Sequence, residues 1–309
     1  MYITQVKDNA KDWWKYLIGA VIIFAGLFIF SIPHGVAIGI KTATGELDPT
    51  RLEDVNYLLK AFEPNLNLFL MLLPFVGMLL GTFFAVKFVH GQSLLKLTTY
   101  REKVDWNRVF FAFSLWGIFT SLMLFVDYSI ISPENYEWNF KLKPFLILSL
   151  IAILLLPLQT SAEEYLFRGY LMQGIGAIFK YKWIALFITS IGFGLLHYSN
   201  PEVQRFGDIV MIYYIGTGLF LGIVTLMDEG LELALGFHAA NNLFTALLVS
   251  ADWTALQTHS ILKDVSPAPT SMPLDEVLIP VFVMFPLLLL FFAKKYEWTD
   301  WKNKLFGKV

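Results

Sequence analysis

The sequence predicts an all-α fold: a polytopic membrane helix bundle of about eight transmembrane helices with both termini cytoplasmic. Three observations predict it. The 309-residue chain is 56% hydrophobic and only 16% charged, whereas a soluble domain carries about 25% charged residues. Its apolar residues gather into runs close to the ~20 needed for a helix to cross the hydrocarbon. Lys and Arg alternate between rich and poor connections, the pattern of an even number of spans.

In chain order the spans are expected at 14–40, 66–89, 107–131, 144–162, 183–200, 208–227, 231–250 and 275–293. The first run is long enough to span and lacks the small-residue cleavage pattern of a secretory signal. Within the fourth, Pro157 predicts a kink. Ser161-Ala162-Glu163-Glu164 has capping-box spacing, so the helix is expected to restart there. The nine Trp (Trp13, Trp14, Trp106, Trp116, Trp138, Trp183, Trp253, Trp298 and Trp301) lie near segment ends or flanks, and most are read as interfacial anchors. Inner segments, from Lys7, Lys11 and Lys15 to the basic C-terminal tail, hold fifteen of the 23 Lys and Arg; outer loops hold seven, and Arg168 lies within a span. One outer loop is acidic (Glu46, Asp48, Glu53, Asp54, Glu63) and another Pro-rich (Ser266-Pro267-Ala268-Pro269, then Pro273).

Several classes are excluded or disfavoured. The longest polar stretch, roughly 41–65, leaves no room for a soluble domain. A formal net charge of −2 gives no reason to expect nucleic acid. The absence of cysteine removes disulfides, thiolate metal sites and a cysteine nucleophile. No internal repeat supports an inverted-repeat transporter.

Five ionisable residues interrupt the apolar helices: Glu163, Glu164, Arg168, His197 and His238. A charge at the bilayer centre costs at least ~2.5–3.5 kcal/mol, so each is a functional candidate. Glu164 and Arg168 are spaced i,i+4 and share a helix face, which predicts an ion pair. Glu163 points about 100° away and is left as the carboxylate available for acid–base work. A turn near Lys180 has Glu163 seventeen residues before it and His197 seventeen after, so an antiparallel hairpin brings the two level. Whether that level is deep or shallow depends on how far the hairpin projects. His238 and Asn242 are again i,i+4, and their N–H groups suit an oxyanion. The bland reading of each group is a structural one: an ion network for the acids and Arg168, interhelical hydrogen bonding for the rest, Asn241 included. His34, His90 and His259 have no acidic companion in the sequence and are read as structural or interfacial. Gly192, Gly194, Gly216, Gly218 and Gly222 are read as close-packing positions.

Three motifs in this order on consecutive helices, Glu163-Glu164 with Arg168, Phe193 with His197, and His238 with Asn242, resemble the CPBP family of intramembrane proteases. That family comprises CAAX prenyl endopeptidases and bacteriocin-processing or self-immunity proteins. The resemblance divides the chain into 1–143, three spans without a motif; 144–250, the catalytic core; and 251–309, the outer Pro-rich loop, last span and basic tail. It implies that Glu163 with His197 activates a water, that His238 and Asn242 stabilise the oxyanion, and that Glu164 and Arg168 support the site. It permits zinc, which Glu163, His197 and His238 would hold; with no His-Glu-x-x-His motif, the favoured expectation is that no cofactor is required. The expected partners are the lipid bilayer and a membrane-associated or lipid-modified peptide or protein entering from the membrane or cytoplasmic side. The expected location is the bacterial cytoplasmic membrane. Two alternatives stand beside the endopeptidase: a catalytically silent immunity or assembly factor, and a proton-coupled transporter.

Overall fold

The structure, a computed structural model, describes residues 1–6, 10–266 and 274–309. Lys7 and the Pro-rich stretch at Pro267, Ala268, Pro269 and Pro273 lie outside the described residues. The fold is an all-α bundle. Helix α1 is Trp13–Ala43. Helix α2, Pro64–Phe84, starts on Glu63, whose carboxylate accepts from the backbone N–H groups of Asn65 and Leu66, with Pro64 in the first turn. Helix α3, Trp106–Val126, is capped by Asp105 and runs on as a π-helical turn, Asp127–Ile131. Helix α4 is Leu142–Glu164, followed by a π-helical segment, Tyr165–Leu171, and by α5, Met172–Phe179. A left-handed Lys180 turns the chain into α6, Lys182–Leu195. Then come α7, Val210–Asp228; α8, Glu232–Leu248; α9, Phe285–Lys295, entered through a π-helical turn Pro280–Met284; and α10, Trp301–Phe306.

Among the described residues six helices are long and apolar enough to cross a membrane: Trp13–Ala43, Pro64–Val89, Trp106–Ile131, Leu142–Phe179, Val210–Asp228 and Glu276–Lys295. The fifth and seventh expected spans are the shorter α6 and α8, of 14 and 17 residues. At 1.5 Å per residue they reach about 21 and 26 Å, less than the ~30 Å hydrocarbon core.

The expected restart at Ser161 does not occur. Helix α4 passes unbroken through Pro157 and Ser161 to Glu164, and the irregular backbone comes immediately after the acids, as the π-helical segment. The physical reason is the apolar surroundings. A broken helix would leave backbone N–H and C=O groups without partners, whereas a π turn shifts side-chain direction by one residue and keeps them bonded.

Both termini meet at one end of the bundle. The N–H of Val309 donates to the carbonyl of Lys180 at 3.0 Å, and that of Lys182 to Gly307 at 3.2 Å. Ile3 and Val309 both lie against Gly176. The buried Lys182 ammonium donates to the carbonyl of Asn303 at 2.8 Å. Beside them sits an ion network. Buried Asp228 pairs with Arg101 at 3.1 Å and with Arg108, and Arg101 pairs with buried Glu232 at 3.2 Å. The opposite end carries a small three-stranded sheet, β1 (Tyr136–Trp138), β2 (Val249–Ala251) and β3 (Leu262–Asp264), in the order β1-β3-β2. There β1 runs antiparallel to β3 (Tyr136 opposite Asp264) and β2 parallel to it (Val249 opposite Leu262).

Two tryptophans depart from the interfacial reading. Trp116 is buried within α3, and its indole N–H donates to Asn241 at 3.0 Å. Trp298 is buried and donates to Asp228 at 3.1 Å. In both cases the indole N–H serves as a donor inside the protein rather than at a headgroup. His259 also departs from expectation: it has an acidic companion, Glu63, at 2.7 Å.

The tightest pairing of the first spans rests on two glycines. A Cβ on Gly77 would overlap the carbonyl of Gly26, and a Cβ on Gly26 that of Gly77. Gly77→Val should therefore lower the thermal midpoint in detergent, at a cost of about 1–3 kcal/mol for overpacking. Gly39→Ala, which meets nothing within 4 Å, should leave it unchanged. Equal midpoints for the two variants would contradict this packing.

Candidate active site

Six sequence-predicted residues come from three consecutive parts of the bundle: Glu163 and Glu164 at the end of α4 with Arg168 in the π-helical segment, His197 just past α6, and His238 and Asn242 on α8. Glu164 is their meeting point. Its Oε1 accepts from Arg168 Nη1 at 2.8 Å and from His238 Nδ1 at 2.7 Å. Glu164 and Arg168 are fully buried. The expected ion pair is thus present, and it also holds the imidazole of a different helix.

Arg168 is fixed on two further sides. Its Nη2 donates to the carbonyl of Gly218 at 3.1 Å, and its guanidinium lies 4.2 Å from the centre of the Phe193 ring. That backbone approach requires a glycine, since a Cβ on Gly218 would sit 2.6 Å from the carbonyl oxygen of Ser190. Phe193 also contacts His197, at 4.9 Å between ring centres, and His238, at 5.9 Å. Phe193 therefore joins the first and third motifs through its two faces and edge, a contact that sequence spacing alone does not reveal. The π-helical segment has support from the N-terminus. The buried Tyr2 hydroxyl donates to the carbonyls of Leu97, at 2.6 Å, and Arg168, at 3.1 Å.

Glu163 is buried but not isolated. Its Oε1 accepts from Gln159 Nε2 at 2.7 Å. Its Oε2 has no hydrogen-bond partner and lies 3.6 Å from His238 Nε2. Glu163 and His197, expected level across the hairpin, are not bonded to each other: among the described residues no hydrogen bond or ion pair joins them, although the charge of Glu163 acts on His197 through space. The reason lies in what surrounds each. His197 stacks on Tyr214 with ring centres 4.4 Å apart, and its Nδ1 bonds the carbonyl of Phe193 at 2.9 Å. A carbonyl only accepts, so Nδ1 carries the proton and Nε2 keeps a lone pair. His238 is more intimate with the acids than expected, contacting both. Asn242 donates to Gln159 Oε1 at 2.9 Å and accepts from Asn241 at 3.2 Å. Gln159 was not singled out from the sequence, although it stands one helical turn before Glu163 on the same face, and that spacing was the available signal.

Among the described residues no group of three or more His, Asp or Glu side chains is arranged to hold a metal ion. Glu163 Oε2 and His238 Nε2 face each other at 3.6 Å, and among the described residues no contact brings His197 to that pair. The donor set expected for zinc, Glu163, His197 and His238, does not converge in this geometry.

From the start of α8 at Glu232, beside the ion network, His238 and Asn242 are six and ten residues on, about 9 and 15 Å. Glu163 stands twenty-one residues past Leu142, about 32 Å from the opposite end of α4. Gly218 packs on Ser190 and Gly222 on Leu186, so α6 and α7 are antiparallel and the Lys180 turn lies level with Asp228 and the ion network. Lys182 donates to the carbonyl of Asn303, and the neighbouring Lys304 to that of Met227. The site therefore lies nearer the end that carries the termini.

Comparison with known proteins agrees with this core. Residues 142–244 match the model of a family described as type II CAAX prenyl endopeptidase Rce1-like, and all six predicted residues fall within that range. The chain is also 29% identical over 257 residues to the uncharacterized protein YyaK of Bacillus subtilis (strain 168), covering 81% of this chain and 82% of that protein. No solved structure matches the chain.

Breaking a buried pair by removing one partner costs about 3–5 kcal/mol, because the other charge stays behind unpaired. Arg168→Leu should lower unfolding stability by about that amount and leave His238 as the remaining donor to Glu164. Thermal unfolding in detergent measures the first. A wild-type midpoint would contradict the central position of this pair.

Proposed function

We propose that this chain, whose residues 142–244 belong to the type II CAAX prenyl endopeptidase Rce1-like family, is an intramembrane endopeptidase that hydrolyses membrane-associated or lipid-modified peptides with a glutamate-activated water. One observation carries the reading. A buried carboxylate has one oxygen held by an amide and the other without a partner, 3.6 Å from an imidazole that a second carboxylate holds. A buried carboxylate oxygen without a hydrogen bond costs more than about 1–3 kcal/mol, and a buried polar group left so in a native structure calls for an explanation, a catalytic role among them.

In the proposed mechanism Glu163 Oε2 takes a proton from water, and the lone pair of His197 Nε2 accepts from the same water and orients it. The oxygen of the resulting hydroxide bonds to the scissile carbonyl carbon. The negative charge moves to the carbonyl oxygen, where His238, donating from Nε2 as the imidazolium whose Nδ1 is held by Glu164, and the Asn242 Nδ2 hydrogen that Gln159 does not use both donate to it. On collapse the C–N bond breaks, and Glu163 returns its proton to the leaving amine. Glu164 and Arg168 keep His238 in place throughout. No step passes through a metal. The basic end that carries the termini is assigned to the cytoplasm, so substrate approaches the shallow side of the site from the bilayer or the cytoplasm. The bacterial cytoplasmic membrane is the proposed location.

Purified protein and a farnesylated reporter peptide ending in a CAAX sequence provide the test. Glu163→Ala and His197→Ala should abolish hydrolysis while the protein still inserts and folds. Asn242→Ala should lose roughly 10²–10³-fold in kcat, the effect of removing an oxyanion donor. Wild-type rates from Glu163→Ala would end the mechanism. Hydrolysis should also survive chelation, without metal bound in proportion to activity; stoichiometric zinc that tracks activity would overturn the metal-free form.

A further inference from the structure

Span three belongs to the region without a motif, yet it touches the site through a chain of amides. Trp116 Nε1 donates to Asn241 Oδ1 at 3.0 Å. Asn241 Nδ2 donates to Asn242 Oδ1 at 3.2 Å, Asn242 Nδ2 to Gln159 Oε1 at 2.9 Å, and Gln159 Nε2 to Glu163 Oε1 at 2.7 Å. An indole N–H can only donate, and a carboxylate can only accept. With those two ends fixed, each of the three amides between them has a single orientation that satisfies every bond. A flip of any one sets oxygen against oxygen or N–H against N–H in a low-dielectric interior, where unmade bonds are expensive.

We propose that Trp116, Asn241 and Gln159 form a positioning chain that orients Asn242 and Glu163 for hydrolysis, which makes the third span part of the catalytic apparatus. The inference deepens the endopeptidase reading and rests on it. The chain fixes two things. Asn242 always turns its NH₂ group, not its oxygen, toward Gln159 and the reacting carbonyl, so its second hydrogen serves the oxyanion. Glu163 Oε1 is held by a donor, so the proton taken from water resides on Oε2, the oxygen that faces His238. Trp116 is itself held rigidly, its ring packed against Phe237 with centres 4.5 Å apart and stacked on Phe119 at 5.3 Å. Every member acts through Asn242 or Glu163, and none touches the substrate.

The test is a double-mutant cycle in kcat with the reporter peptide. Gln159→Met keeps the side-chain length and removes both bonds. It should reduce kcat about 10²-fold, the effect of misplacing a reacting group by about an ångström. Trp116→Phe removes only the first donor and should reduce kcat about five- to tenfold, the worth of one hydrogen bond. KM should stay within about twofold of wild type in both, since neither residue binds substrate. Trp116 still reaches Asn242 through Asn241 when Gln159 is gone, so in the Gln159→Met background Trp116→Phe should cost less than it costs in the wild type. Wild-type kcat in Trp116→Phe, reductions that multiply, or an effect confined to KM would overturn the proposal. Should Gln159→Met fail to fold, Trp116→Phe decides alone: a lowered kcat at constant KM and thermal midpoint supports the chain, and a wild-type kcat refutes it. Failure of the underlying reading looks different, since wild type and Glu163→Ala would then process the reporter alike.

Discussion

The site depends on one buried oxygen. Glu164 Oε1 accepts from a guanidinium of its own helix and from an imidazole of another. Burying an ion pair is not in itself stabilising, since desolvation offsets much of the attraction. What this pair contributes is position. Arg168 reaches from Glu164 to the backbone of α7 at Gly218 and lies against Phe193 of α6. His238 brings in α8. Four helices therefore converge on a single charged pair, and the geometry of Glu163, one residue earlier in the chain, follows from theirs. The π-helical segment belongs to this arrangement: it begins where the acids end, contains Arg168, and has the carbonyl of Arg168 tied down by Tyr2.

Much of this was legible in the sequence because it is local. The i,i+4 spacing of Glu164 and Arg168 fixes their common face, and the pair forms as the helix repeat dictates. The turn at Lys180 was legible from the charge pattern between two apolar runs. Apolar run length located the six helices long and apolar enough to cross a membrane among the described residues, and the shorter α6 and α8. What was not legible is set by packing between helices. His197 shares a hairpin level with Glu163, but the aromatic face of Tyr214 and the carbonyl of Phe193 decide where its ring points. The restart at Ser161 fails because a capping-box pattern describes helix ends in water, and an interior helix has no water to complete its backbone bonds. Trp116 and Trp298 are the exceptions among tryptophans mostly read as anchors: composition places indoles at interfaces on average, while a buried acceptor such as Asn241 or Asp228 draws them inward one at a time.

The position of the site follows from the register of the helices. The antiparallel packing of Gly222 on Leu186 and Gly218 on Ser190 sets the Lys180 turn level with the ion network of Arg101, Asp228 and Glu232. Both chain ends fold against that turn. The polar site thus lies a few helical turns from the charged end of the bundle and about a full hydrocarbon thickness from the other. This placement suits a reaction that needs water for the base and an apolar wall for a membrane-held substrate.

The central claim is that Glu163 performs hydrolysis rather than filling a polar core. Comparative peptide profiling of membranes from cells carrying wild type or Glu163→Gln tests it most directly, because the amide keeps the size and hydrogen bonding of the side chain and removes the base. The account predicts peptides present with wild type and lost with Glu163→Gln at equal protein levels. Identical profiles, with Glu163→Gln replacing the wild type in every respect, would contradict it and identify the site as a scaffold.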